Sequence, residues 1–243
     1  MPPEVPKSTI LRVLITDFSP GLRAGLEAIV ASDRELELIG VAGDGDQALQ
    51  QLRKASARGQ PINVVLTGTR TSILDGVQVT RLVKEEFPEV AVLVLTEHAN
   101  DSNVIDAIHA GAGGYIFLHD MARGSLLKSI HQVVEGGTQM KTALLRTAVD
   151  ALLQNGRRTL AQRTTDAAHL TEREVDVLRL MGNGDSNKVI GESLGITLDT
   201  VKKHVGSVIE KLKARSRTHA AIIAAQAGIV GPPLRVVVAA QAS

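Results

Sequence analysis

The chain has 243 residues, 44% of them hydrophobic, with a net charge of +1; this is enough apolar content for one large core or two small ones and too much for a disordered chain. It has no cysteine, which excludes disulfides and thiolate metal sites and fits a reducing cytoplasm, and only 2% aromatics, which argues against a base-stacking surface for single strands. No apolar run approaches the roughly 20 residues that cross a bilayer, so no membrane partner is expected.

Residues 1–9, "MPPEVPKST", are polar and Pro-rich, lack the apolar stretch of a secretory signal, and read as a disordered N-terminus. Five short apolar runs then read as buried strands: 11–15, 36–41, 62–66, 90–96 and 114–118. Helical stripes alternate with them, through Leu22, Leu26, Ile29 and Val30; Ala48, Leu49 and Leu52; Val79, Leu82 and Val83; Val104, Ile105 and Ile108; and Leu126, Leu127, Ile130 and Val133. Gly111 and Gly136-Gly137 are natural helix stops. Strands apolar on both faces, alternating with helices, predict a doubly wound parallel five-stranded sheet. Ligands meet such sheets at the carboxyl ends of the strands.

Charge divides the chain. Residues 10–135 hold 11 Lys/Arg against 16 Asp/Glu, a balance of −5, while residues 136–243 hold 15 against 9, a balance of +6. An acidic front half and a basic back half suggest two domains, the second facing a polyanion.

The order of five βα units, with "LDG" after the third strand, "VLVLT" at the fourth and "AGAGGY" before the fifth, resembles the receiver domain of bacterial response regulators over residues 10–136. The resemblance implies a flavodoxin-like fold and a phosphorylation switch. In that family, two acids after strand 1 and an aspartate ending strand 3 hold Mg²⁺, and the aspartate takes a phosphoryl group from a histidine kinase. A lysine after strand 5 pairs with the phosphate, and a Ser/Thr and an aromatic relay the change.

Carried over residue by residue, the pattern is broken. Asp17 matches the first acid, but Phe18 stands at the second, Gly68 at the phosphoacceptor and Leu118 at the lysine. Thr71-Ser72 replace the usual Met-Pro of the loop, and only Thr96 and Tyr115 match the relay. Glycine carries no nucleophile, and one carboxylate of three does not assemble the Mg²⁺ site. A substitute acceptor at Thr67, Thr69 or His119 would need chemistry that receiver geometry does not supply. Asp17 is expected to accept local hydrogen bonds instead.

Residues 137–169 read as a connecting helix followed by a polar, basic linker, in which Arg157, Arg158 and Arg163 are solvated or touch phosphates non-specifically. From Leu170 four helices are predicted. Thr171 and Glu174 form a capping box for the first, Ser186 caps the second, Gly195 turns the chain, and Asp199 or Thr200 starts the third. The third helix has a core stripe at Val201, Val205, Val208 and Leu212, with His204 beside it as a packing residue. The fourth runs from about Thr218 to Ala227, and its Ala220, Ile223, Ala224 and Ala227 either contact a second subunit or close the domain core.

This all-α four-helix unit, residues 170–230, is similar to the LuxR/NarL-type helix-turn-helix domain along its whole length, through "LTEREVDVLRL", "SNKVIGESLGIT" and "TVKKHV". The resemblance implies double-stranded DNA as partner, read in the major groove. It places Lys202 and Lys203 toward the groove and Asn187, Lys188 and Thr200 at the backbone, while Lys211, like Lys213, Arg215 and Arg217, is either solvated or close to phosphate. Gly206 stands where a reading side chain often sits. The tail, residues 231–243, is unexplained.

The expectation is therefore a cytoplasmic, sequence-specific transcription regulator that works without aspartyl phosphorylation, as a homodimer or through a small-molecule or protein effector at the receiver. The alternative is a contact protein that titrates a kinase or another regulator through its receiver. No enzymatic activity, cofactor or metal is expected.

Overall fold

The computed structural model describes residues 10–17, 19–69, 75–96, 103–118, 123–137 and 170–226. The N-terminus, Phe18, Thr71-Ser72, His119, residues 138–169 of the connector and the tail lie outside the described residues.

Strands β1 (Leu11–Thr16), β2 (Leu36–Ala42), β3 (Val64–Gly68), β4 (Ala91–Thr96) and β5 (Gly114–Phe117) form one parallel sheet in the order β2-β1-β3-β4-β5. Helices α1 (Pro20–Val30), α2 (Gly45–Ala57), α3 (Gly76–Glu86), α4 (Asn103–Ala110) and α5 (Arg123–Val134) connect them and cover both faces. The alternation along each strand decides which face a residue serves. Val13, Ile15, Val64, Leu66, Leu93 and Leu95 pack under α1 and α5. Leu14, Val65, Val92, Val94, Tyr115 and Phe117 pack under α2, α3 and α4.

Strand β3 starts two residues later than the apolar run predicts and runs on through Thr67 and Gly68, because Gly68 still pairs with Leu95 of β4. Helix α3 enters directly behind it. Asp75 caps α3 and forms a capping box with Gln78, and Gly76 sits so close to Gly68 that an added Cβ would collide with the Gly68 carbonyl.

The basic half folds as α6 (Glu172–Gly182), α7 (Asn187–Leu194), α8 (Leu198–Lys211) and α9 (Arg217–Gln226) around its own core. The Thr171–Glu174 capping box and the Ser186 cap are both formed. Gly195 ends α7 at φ 65°, a left-handed conformation that glycine adopts without strain. Helix α8 begins at Leu198, one or two residues before the expected start. Its N-cap is Thr197, whose hydroxyl accepts the Thr200 N–H at 3.3 Å. Ala220, Ile223 and Ala224 of α9 are buried in this domain's own core. Of the two readings of this face, its burial fits the one in which α9 closes the domain core. Ala227 lies outside the described residues.

The two units touch. Ile222 of α9 joins the receiver's core cluster and is 2% exposed. His109 of α4 and His219 of α9 meet edge to face at 4.8 Å. The Asn187 N–H donates to the Glu135 carbonyl at the end of α5, at 3.2 Å.

Candidate functional sites: the strand ends of the receiver and the nucleic-acid interface

At the carboxyl ends of the strands, Asp17 is 3% exposed. Its Oδ1 accepts the Ser19 N–H at 2.7 Å, and its carbonyl accepts from Arg23 Nη1 at 2.6 Å. The carboxylate is thus drawn into the turn that starts α1. Gly68 is buried and does not have a positive φ. Its backbone does not require glycine, so what is missing there is a side chain and not a conformation. Thr67 and Thr96 are buried beside it, with the Thr67 hydroxyl donating to the Gly68 carbonyl at 3.2 Å. Tyr115 is buried under the α2–α4 face, edge to face with Phe117 at 6.3 Å. Leu118 packs against the apolar cluster on the α1/α5 face. The described part of this edge therefore presents two engaged carboxylates, Asp17 and the Asp44 that accepts from Gln47 after β2, with hydroxyls and apolar side chains.

In the basic half, α7, the Gly195 turn and α8 form a helix-turn-helix. Val201, Val208 and Leu212 are buried and Val205 is half-buried, which turns Lys202, Lys203 and Gly206 outward. Both lysines are exposed. Thr200 is half-buried, and its hydroxyl lies 2.9 Å from that of Thr197. His204 is also half-buried, beside the stripe.

Two other predicted DNA contacts are engaged within the protein. The Lys211 ammonium lies 2.8 Å from both carboxylate oxygens of Glu174. Glu174 is 4% exposed and also accepts from Ser207 and from Thr171. Burial alone raises this carboxyl's pKa, but the bonds from Lys211, Ser207 and Thr171 outweigh it and hold the pKa at about 2. Lys211 thus joins α8 to α6. The Asn187 Oδ1 accepts from Arg217 Nη1 at 2.8 Å, and Arg217 also donates to the Asp185 carbonyl. Burial lowers the Arg217 pKa to about 10, partly offset by Asp185. Sequence reading missed the roles of Glu174 and Arg217 in this frame. A capping glutamate that also receives a lysine 37 residues away leaves no local signature.

Lys188 and Lys202 line a cavity of about 440 Å³ together with Val134, the last residue of α5, and Glu135, which follows it.

A receiver-type sheet joined to a helix-turn-helix defines a class, the DNA-binding response regulators of transcription. The comparisons agree. Residues 13–131 match the response regulator receiver domain and residues 168–224 the LuxR family of bacterial regulatory proteins. The transcriptional regulatory protein LnrK of Bacillus subtilis (strain 168) is 31% identical over 223 residues, 90% of this chain and 99% of that one. The nitrate/nitrite response regulator NarL of Escherichia coli (strain K12) is 30% identical over 210 residues, 86% and 93% of the two chains. A solved structure of the Salmonella typhimurium RcsB response regulator shares the fold, with a TM-score of 0.51, 19% identity, and 84% and 93% coverage. The chain belongs to the LuxR/NarL-type response regulators.

Proposed function

We propose that this regulator binds DNA sequence-specifically through Lys202 and Lys203, with Lys188, Thr200 and Asn187 at the backbone, and that it does so without aspartyl phosphorylation. The observation that carries the reading is the joint loss at three positions: Phe18, Gly68 and Leu118 stand where the receiver pattern has an acid, the phosphoacceptor and the phosphate-pairing lysine. Each loss removes one part of the same reaction, namely metal charge, nucleophile and counter-charge. The turn bonds that occupy Asp17 support it, because the remaining carboxylate already has protein partners. The protein's input is then its own dimerisation, or an effector that acts on the receiver.

Incubation with acetyl phosphate and Mg²⁺, followed by intact-mass measurement, tests this. The reading expects no phosphorylated species. A stable phosphoryl adduct that maps to the receiver would overturn it. Gly68→Asp alone should gain no adduct, since Phe18 and Leu118 still withhold metal charge and counter-charge.

A further inference from the structure

At the opposite end of the sheet, the turn between α1 and β2 faces the last turn of α5. Among the described residues, Asp33, Glu35 and His131 bring three donor atoms within 4.8 Å of one another. We propose that these residues form a binding site for a divalent transition-metal ion, with Zn²⁺ the best-matched cation. The proposal does not depend on how the strand ends near Gly68 behave.

The geometry is that of ligands held before the ion arrives. The His131 Nε2 lies 3.1 Å from Asp33 Oδ2 and 3.9 Å from Glu35 Oε2. Three ligands at the roughly 2.0–2.2 Å typical of Zn–N and Zn–O bonds stand about 3.3–3.6 Å apart in a tetrahedral shell. The two His131 separations bracket that range and the third, Asp33 to Glu35, lies within 4.8 Å, so closing the exposed Glu35 side chain toward the other two would complete a three-ligand set.

Asp33 is oriented by its own turn. Its Oδ1 accepts the Glu35 N–H at 2.9 Å, which aims Oδ2 at the imidazole. The backbone on both sides is fixed, with Asp33 N–H to the Val30 carbonyl at 3.2 Å, Leu36 N–H to the Asp33 carbonyl at 3.3 Å and Leu11 N–H to the Glu35 carbonyl at 2.8 Å. Such outer bonds set ligand direction in metal sites.

One imidazole and two carboxylates neutralise a doubly charged ion and favour Zn²⁺ or Mn²⁺ over the all-oxygen sites of Mg²⁺ and Ca²⁺. The fourth position is left to water or exchange. His131 lies four residues before Glu135, whose carbonyl receives the Asn187 N–H, so a bound ion would stiffen the segment that meets the DNA-binding unit.

The test is calorimetric titration of the chelator-treated full-length chain with Zn²⁺, alongside thermal unfolding. The expected result is uptake of one equivalent and a rise in Tm. His131→Ala and Asp33→Asn should each weaken uptake by about tenfold or more, with the far-ultraviolet spectrum unchanged, and Glu86→Gln on α3 should match the parent. If His131→Ala misfolds, Asp33→Asn and Glu35→Gln carry the test. The proposal is overturned if the parent takes up no stoichiometric Zn²⁺, which would leave an ion pair only, or if folded Asp33→Asn and Glu35→Gln variants bind like the parent.

Discussion

At the scale of single residues, Gly68 and Glu174 do opposite things. Gly68 is buried and its backbone, without a positive φ, does not require glycine. Its neighbour Gly76 is constrained: a methyl group at Gly76 meets the Gly68 carbonyl, so Gly76→Ala should destabilise the receiver by about 1–3 kcal/mol, readable as a lowered denaturant midpoint. Glu174 is filled to capacity. Its folded pKa of about 2 lies below the ordinary 4.5, so its stabilisation is complete above pH 4.5 and is lost as pH falls toward 2. The linkage is on the order of 3 kcal/mol. Glu174→Gln should lower stability at neutral pH by a similar amount, because Lys211 loses its counter-charge. The gap between parent and variant should close between pH 4.5 and 2 in urea titrations. The capping box was legible in the sequence because its spacing is local. The Glu174–Lys211 pair was not, so Lys211 read as a DNA contact when its first partner is a carboxylate in its own domain.

At the scale of elements, the strands were legible because parallel strands buried on both faces give unbroken apolar runs. Their boundaries slipped where pairing, not hydrophobicity, sets the end, as at Gly68 opposite Leu95. The start of α8 slipped because Thr197 and Thr200 are both good cap residues, and only the 3.3 Å bond decides between them. The outward face of α8 was read from the core stripe, and the exposure of Lys202 and Lys203 follows from that stripe. Lys202→Ala and Lys203→Ala should each weaken operator binding by roughly tenfold or more, or about 1–3 kcal/mol where a base edge is read. Where a lysine instead meets phosphate, the slope of log K against log salt should fall by about 1. Fluorescence anisotropy at several salt concentrations separates the two roles.

At the scale of the molecule, the packing of α9 on the receiver was not legible. Ile222 sits on a helix whose apolar residues all look alike in sequence, and only the fold separates Ile222, facing the receiver, from Ile223, facing its own core. The Asp33–His131 contact was hidden for a related reason, since the sheet topology brings together residues 98 apart. The contact across α4 and α9 has a mechanical consequence. Ile222→Glu should part the two units without unfolding either, which small-angle scattering would read as a larger radius of gyration.

The central claim is that DNA binding in this regulator is uncoupled from aspartyl phosphate. Its most direct test is the Kd of the full-length chain for a selected operator, measured with and without acetyl phosphate and Mg²⁺ at fixed salt. The account predicts the same Kd in both conditions. A phosphodonor-dependent tightening that is abolished by removing Mg²⁺ would contradict it.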